Sequence, residues 1–338
     1  MNIKYIARIL SGAKFSRLSK VVSEVKDVSK KGKLSIYFDI IICGFKYGAG
    51  YNDYQIFEFY NMNSSERKTY MTRVKNKKLI TLLNNPEYSD IFSHKGKFRE
   101  YFSDFLGRET MDLKDCNFEE FKKFIAGKEF IIAKPYLGES GKGIEKIEIQ
   151  SFETPNKLYK YLRSDEKCFG LIEEVIEQHD AYNKIYPFAL NCFRFVTILK
   201  DGEVYPIYAV FKMGNNGHFV DNLENGGLVC HFDIKTHKLS AYGHNSNREK
   251  YTEHPYTKIK FENYELPNFD EVIKLVKKAA LVVPQMRYIG WDVCMSKTGP
   301  LIIEGNNYPA YDFPQLPDPD AKRIGLLAKV QKVLTDFK

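Results

Sequence analysis

CxxC spacing is absent from this sequence. The six cysteines (Cys43, Cys116, Cys168, Cys192, Cys230 and Cys294) are scattered. That argues against a zinc site and for reduced, mostly buried thiols in a cytoplasmic protein. Long apolar runs are missing as well. The longest, Ile36–Phe45, contains Asp39 and is far too short to span a bilayer. Met1–Ile9 lacks an apolar core of signal-peptide length. No GxxxxGKS or GxxxxGKT loop occurs, and there is no internal repeat or low-complexity segment. The 23 tyrosines and 25 phenylalanines fall in apolar patterns, without the basic-aromatic stripe that single-stranded nucleic acid needs, so nucleic acid is a poor fit as a partner.

Charge is unevenly spread. The formal net charge is +8, and residues 1–33 hold nine Lys and Arg against Glu24 and Asp27, which leaves the rest near neutral. In that leader Ile3, Ile6, Leu10, Leu18, Val21, Val22 and Val25 fall near helical spacing. A basic amphipathic helix of this kind lies on an anionic membrane or docks a partner such as a glycosyltransferase. The plainer reading packs it on its own domain with a solvated basic face. The expected location is cytoplasmic, with the inner membrane face as the alternative.

With 338 residues and 43% hydrophobic content, the chain suffices for one large core or two ordinary domains. Residues 1–92 read as mainly helical, with a Ser64 or Ser65 cap opening one helix. Phe98, Tyr101, Phe102, Phe105 and Leu106 share a helical face that Gly107 ends. Helix Asn117–Gly127, a strand to Pro135, a glycine loop and a second strand follow. A helix then starts at Thr154-Pro155. The second half is strand-rich, with hairpins at Asp201-Gly202 and Lys297-Thr298-Gly299. These elements predict an α+β protein with two sheets.

Four constellations carry chemistry. Lys134 ends an apolar strand before a loop with Gly138, Gly141 and Gly143. There a lysine holds phosphate as a point charge, and glycines let backbone N–H groups approach its oxygens. The alternative is an ordinary glycine-rich hairpin. Asp292 on one strand, with Glu304 and Asn306 on its hairpin partner, can share a face and offer three oxygens to Mg²⁺; the alternative is a pair of exposed strand ends. Glu173, Glu174 and Asp180 follow a strand end where a carboxylate can take ribose hydroxyls, or simply be a charged terminus. Arg194 lies in an apolar strand and needs an anion, either a transferred phosphoryl group or a nearby acid.

In this order the set resembles the ATP-grasp fold, from about residue 93 onward. The resemblance implies two α+β lobes gripping ATP, at 93–176 and 177–338, behind the helical region 1–92. It matches Lys97 and Lys134 to the two lysines of the nucleotide phosphates. Gly138–Gly143, including Ser140, match the closing loop, and Glu173, Glu174, Val175 and Ile176 the adenine connector. Arg194 matches the phosphate-binding arginine, and Asp292, Glu304 and Asn306 the magnesium ligands. The stretch Glu173–Thr197 is similar to that of the sugar-transfer-associated ATP-grasp family, which is found with polysaccharide-assembly genes. Residues 211–240 resemble its aspartate-asparagine and glycine-pair block. Cys192-Phe193 and Lys235-Thr236-His237 depart from its pattern without touching a catalytic group.

The resemblance implies a ligase that uses ATP and Mg²⁺ to join a carboxylate to an amine through an acyl-phosphate. Its acceptor would sit near Asn222, Gly226 and Gly227, with His218 either aiding proton removal or merely an exposed loop residue. The competing expectations are a kinase acting on a sugar hydroxyl and a non-catalytic ATP-binding partner of a glycosyltransferase.

Overall fold

The computed structural model describes residues 15–138, 141–319 and 322–337. Its longer helices are α1 Phe15–Val28, α2 Lys33–Tyr47, α3 Arg73–Leu83, α4 Lys95–Leu106, α5 Phe118–Ile125, α6 Pro155–Leu162, α7 Phe269–Ala279 and α8 Leu327–Val333. Its strands are β1 Thr110–Asp112, β2 Phe130–Lys134, β3 Glu145–Glu148, β4 Leu171–Glu174, β5 Cys192–Lys200, β6 Glu203–Met213, β7 Leu228–Asp233, β8 Lys238–His244, β9 Lys250–Tyr251, β10 Tyr288–Ser296 and β11 Gly299–Asn306. The α+β expectation is met.

The chain divides into two compact units. One runs to Leu79 and is completed by residues from Ala310 onward; the other is Ile80–Pro309. The C-terminal segment shares a unit with the N-terminal helices. There Gln315 donates to the Met71 carbonyl at 2.9 Å, and Tyr311 donates to Asp53 at 2.6 Å. This unit's core is Val21, Val22 and Val25 of α1 against Ile36, Ile40 and Cys43 of α2, with Tyr54, Phe57 and Phe59. Leader residues 1–14, with Ile3, Ile6 and Leu10, lie outside the described residues. The expected serine cap is Asn63 instead. Its side chain accepts from Ser65 and Glu66 N–H groups while Glu66 reaches back to Asn63 N–H, which satisfies more donors than a serine at the next position.

The larger unit holds both sheets. The four-stranded sheet has order β1-β4-β2-β3 and the seven-stranded sheet β11-β10-β5-β6-β7-β8-β9, all antiparallel. Helices α5 and α6 cover the small sheet, burying Phe121, Ile125, Leu158 and Leu162 against Ile131 and Ile172. Helix α6 has Thr154 as its cap and Pro155 at its first position, as the sequence predicts. The large sheet buries Phe193, Phe195, Phe211, Trp291 and Val293 against α4 and α7. Asp201 and Gly202 both have positive φ in a two-residue loop between Lys200 and Glu203, the geometry that suits the twist of paired strands. Strand β10 is buried along its whole length, because β5 and β11 flank it. An acid at its centre must therefore find partners.

Candidate functional site

The two sheets of the larger unit face a cavity of about 450 Å³. On the small-sheet side, Lys134 closes β2. Its ammonium donates to Glu173 Oε2 at 2.5 Å. Glu173 is paired in addition by Arg108, through Nε at 2.9 Å and Nη2 at 3.1 Å. Arg108 is itself anchored to the carbonyls of Leu106 and Ile302. Burial alone would raise the Glu173 pKa; the two cations outweigh it and hold the carboxyl at about 2. Both Glu173 oxygens are thus spent on protein cations. Glu173 itself lines the cavity, where it holds the Lys134 ammonium. Glu174, Val175, Ile176 and Asp180 also line the cavity.

At the start of α4, Lys95 and Lys97 part company. Lys97 is half exposed and ion-paired to Asp90, and it is not in the cavity wall. Lys95, two residues earlier, lines the cavity and donates to the Gly138 carbonyl at 2.8 Å. Residues two apart on a helix point to opposite sides. Only one of the pair can therefore face the site, and the turn at the His94 cap makes it Lys95. In the glycine loop, Gly138 and Gly141 line the cavity while Gly143 packs beside Pro135. All three have positive φ, at 132°, 73° and 73°, where L side chains are strained. Ser140 lies outside the described residues.

On the large sheet, register builds the second half. Arg194 of β5 stands opposite Asp292 of β10, which stands opposite Glu304 of β11. Paired residues in antiparallel strands share a face, so the three form one row. Arg194 grips Asp292 through Nε and, at 3.0 Å, through Nη2. It does not reach the cavity wall. Of the two readings the sequence left open for Arg194, the structure shows the nearby acid, while Lys212 of β6 lines the wall. Lys212 reaches Asp292 Oδ2 at 3.1 Å and Asp221 Oδ1 at 3.3 Å. Burial favours a neutral Asp292, but Arg194 and Lys212 hold its carboxyl well below the usual range. Glu304 moves the other way: burial, then the neighbouring Asp292, raise it. Asn306 donates to the Gly290 carbonyl at 3.3 Å and is not in the wall.

The segment between β6 and β7 closes the site. Asn222 lines the cavity and meets the glycine loop. A Cβ on Gly141 would lie 3.2 Å from Asn222 Oδ1. Gly226 has φ of 85°, and a Cβ on Gly227 would fall 2.6 Å from the Asp221 carbonyl. The two glycines make the tight turn but do not face the cavity. His218 is exposed and outside the wall, as in the reading of it as an exposed loop residue. The residue that sequence reasoning missed is Asp221. It is 7% exposed and lines the cavity, and its Oδ2 has no hydrogen-bond partner. Burial raises its pKa despite Lys212. Its position beside Asn222 was the available signal. Arg108 and Lys212 carried none: Arg108 pairs with Glu173 across 65 residues and Lys212 with Asp292 across 80.

A model of sugar-transfer associated ATP-grasp proteins matches residues 68–333. No curated protein matches the chain. Among solved structures, the chain is similar to the ATP-grasp ligase PsnB complexed with minimal precursor, Mg and ADP, at 16% identity and TM-score 0.40, covering 68% of this chain and 54% of that one. A second PsnB structure, with minimal precursor, matches at TM-score 0.44 over 76% of this chain and 64% of that one, again at 16% identity. D-alanyl-alanine synthetase A from Vibrio cholerae matches at 12% identity and TM-score 0.44, over 79% of this chain and 74% of that one. The chain thus spans between half and two thirds of the length of PsnB. With the match running through both sheets and the cavity between them, the chain belongs to the sugar-transfer associated ATP-grasp family.

Proposed function

We propose that this protein is an ATP-dependent carboxylate–amine ligase that forms an amide through an acyl-phosphate. Its substrate would be a sugar or amino acid in surface-polysaccharide or glycoconjugate assembly. The observation that carries this reading is the row of Arg194, Asp292 and Glu304, with Lys212 in the wall of the same cavity as Lys134 and Lys95. Cations there can face a polyphosphate, and paired acids can face a divalent metal.

Asp292 and Glu304 suit magnesium. They are adjacent acids in the cavity wall, Asp292 buried and Glu304 half-buried, and burial and Asp292 raise Glu304 despite Arg194, Lys212 and Lys95 nearby. Mg²⁺ is commonly held by one or two carboxylates plus phosphates and water, so these two, with Asn306 beyond them, would hold it. When bound, it would neutralise charge on phosphate oxygens. No group of three or more His, Cys, Asp or Glu ligands occurs among the described residues, so the phosphates must complete any such site.

In the reaction, an oxygen of the substrate carboxylate attacks the γ-phosphorus of ATP, the bond to the bridging oxygen breaks, and ADP leaves. An amine then attacks the acyl carbon, orthophosphate departs with the C–O electron pair, and the nitrogen loses a proton. Lys134, aimed by Glu173 and Arg108, and Lys95 bind phosphates. Lys212 offsets the charge of the transferred phosphoryl group, and the Gly138–Gly143 loop closes over it. Asp221 Oδ2 takes the amine proton. Glu174, Val175, Ile176 and Asp180 hold the nucleoside.

The test is ADP release with Mg²⁺-ATP across amino acids, uronic-acid sugars and their nucleotide-linked forms, with hydroxylamine trapping. Release that needs both a carboxylate and an amine, and a hydroxamate in the trap, supports the ligase. Release with a sugar alone and no hydroxamate replaces it with a sugar kinase. Tight ATP binding without turnover replaces it with a non-catalytic partner of a glycosyltransferase.

A further inference from the structure

The smaller unit carries a feature that the ligase reading does not use. Helix α2 is apolar on two opposite faces. Ile36, Ile40, Cys43 and Tyr47 are buried with α1. On the other side Leu34 is 75% exposed, Phe38 66%, Ile41 49%, Ile42 53% and Phe45 38%. These positions recur at intervals of four, three, one and three, which is one continuous stripe of a helix. Five large apolar side chains in solvent on one helix face form a contiguous patch of the kind that marks an interaction surface. In α1, the described part of the leader, Val21, Val22 and Val25 are buried, as in the plainer of the two readings.

The surroundings of the stripe are basic. Lys30 and Lys33 are exposed at its start and Lys46 at its end, with Arg17, Lys20 and Lys26 exposed on α1. The one acid on α2, Asp39, is taken by Arg67 at 2.7 and 2.8 Å. A second copy of the chain docked on this stripe would bring lysines against lysines, which costs affinity. No helix among the described residues is long and apolar enough to cross a membrane. A short helix with an apolar stripe and flanking lysines has the chemistry of one that lies in the headgroup layer of an anionic bilayer.

We propose that α2 is an interfacial helix that seats the protein on an anionic lipid surface, with Leu34, Phe38, Ile41, Ile42 and Phe45 inserted and Lys30, Lys33 and Lys46 at the headgroups. This does not rest on the ligase reading. The experiment is flotation of the full chain with vesicles of phosphatidylcholine alone or mixed with phosphatidylglycerol, at low and high salt. It is repeated with Phe38→Glu/Ile42→Glu, and each protein's oligomeric state is measured by sedimentation. The expected result is binding to the anionic vesicles that weakens with salt, little binding to neutral ones, and a loss of roughly tenfold or more in the variant. An unchanged melting temperature in the variant shows that it is folded. Three results would overturn the proposal: no flotation of the wild type, flotation that the variant keeps, or a wild-type dimer that the variant breaks without vesicle binding.

Discussion

Asp292 and Glu304 stand directly opposite each other on β10 and β11, yet their carboxyls are driven in opposite directions. Arg194 and Lys212 hold Asp292 ionised against burial, while burial and Asp292 itself raise Glu304. A folded pKa above the unfolded 4.5 means that ionised Glu304 costs stability. The cost is absent below the unfolded value and grows as pH rises from there through the folded one. Glu304→Gln should therefore be at least as stable as wild type at neutral pH in urea denaturation. ADP release should fall roughly 100-fold or more, as when a pre-organised electrostatic group is removed. A variant that keeps its turnover would break the metal assignment.

Glu173 predicts the reverse. Its folded pKa of about 2 lies below the unfolded 4.5, so its contribution is present above pH 4.5 and is lost as pH falls through about 2. Glu173→Gln leaves Arg108 and Lys134 buried without their anion. It should cost about 3–5 kcal/mol at neutral pH and flatten the acid limb of stability against pH. Denaturation across that range measures both.

The two lysines of α4 separate cleanly. Lys97→Ala removes one solvent-screened surface ion pair and should leave ATP affinity within about twofold by calorimetry. Lys95→Ala should weaken ATP about tenfold or more, by the loss of one charge-assisted phosphate contact.

Asp221 divides the two half-reactions. Asp221→Asn keeps the shape of the turn but accepts no proton. Trapping of the acyl-phosphate with hydroxylamine should stay within a few-fold, while amide formation falls about 100-fold. Equal losses in both would make Asp221 a structural partner of Lys212.

The glycine turn beneath it should be intolerant. A Cβ at Gly227 would meet three backbone oxygens within 3 Å, so Gly227→Ala must shift the segment that holds Asp221 and Asn222. A loss of ADP release larger than the loss of thermal stability is expected, read from kcat and melting temperature on one preparation.

What the sequence determined by itself is local. Periodicity, caps and turn residues specify α4, α5, α6 and the Asp201-Gly202 hairpin, because their causes lie within a few residues. The order of Lys134, the glycine loop, Asp292 and Glu304 was legible for the same reason. Each sits in a short motif whose chemistry needs that spacing. What only the tertiary structure decided is which charges face the cavity. Arg194 and Glu173 carry the right chemistry in the right order, yet both are consumed by partners distant in sequence, Asp292 and Arg108. Lys95, Lys212 and Asp221 line the wall without having been expected there, and Glu173 lines it already paired. A buried charge is assigned by whichever counter-charge the fold brings within about 3 Å, and that depends on strand register and helix rotation, which no single segment encodes. The exposed stripe of α2 has the same origin. Its apolar run is plain in the sequence, but only the packing of α1 shows that half of it remains uncovered.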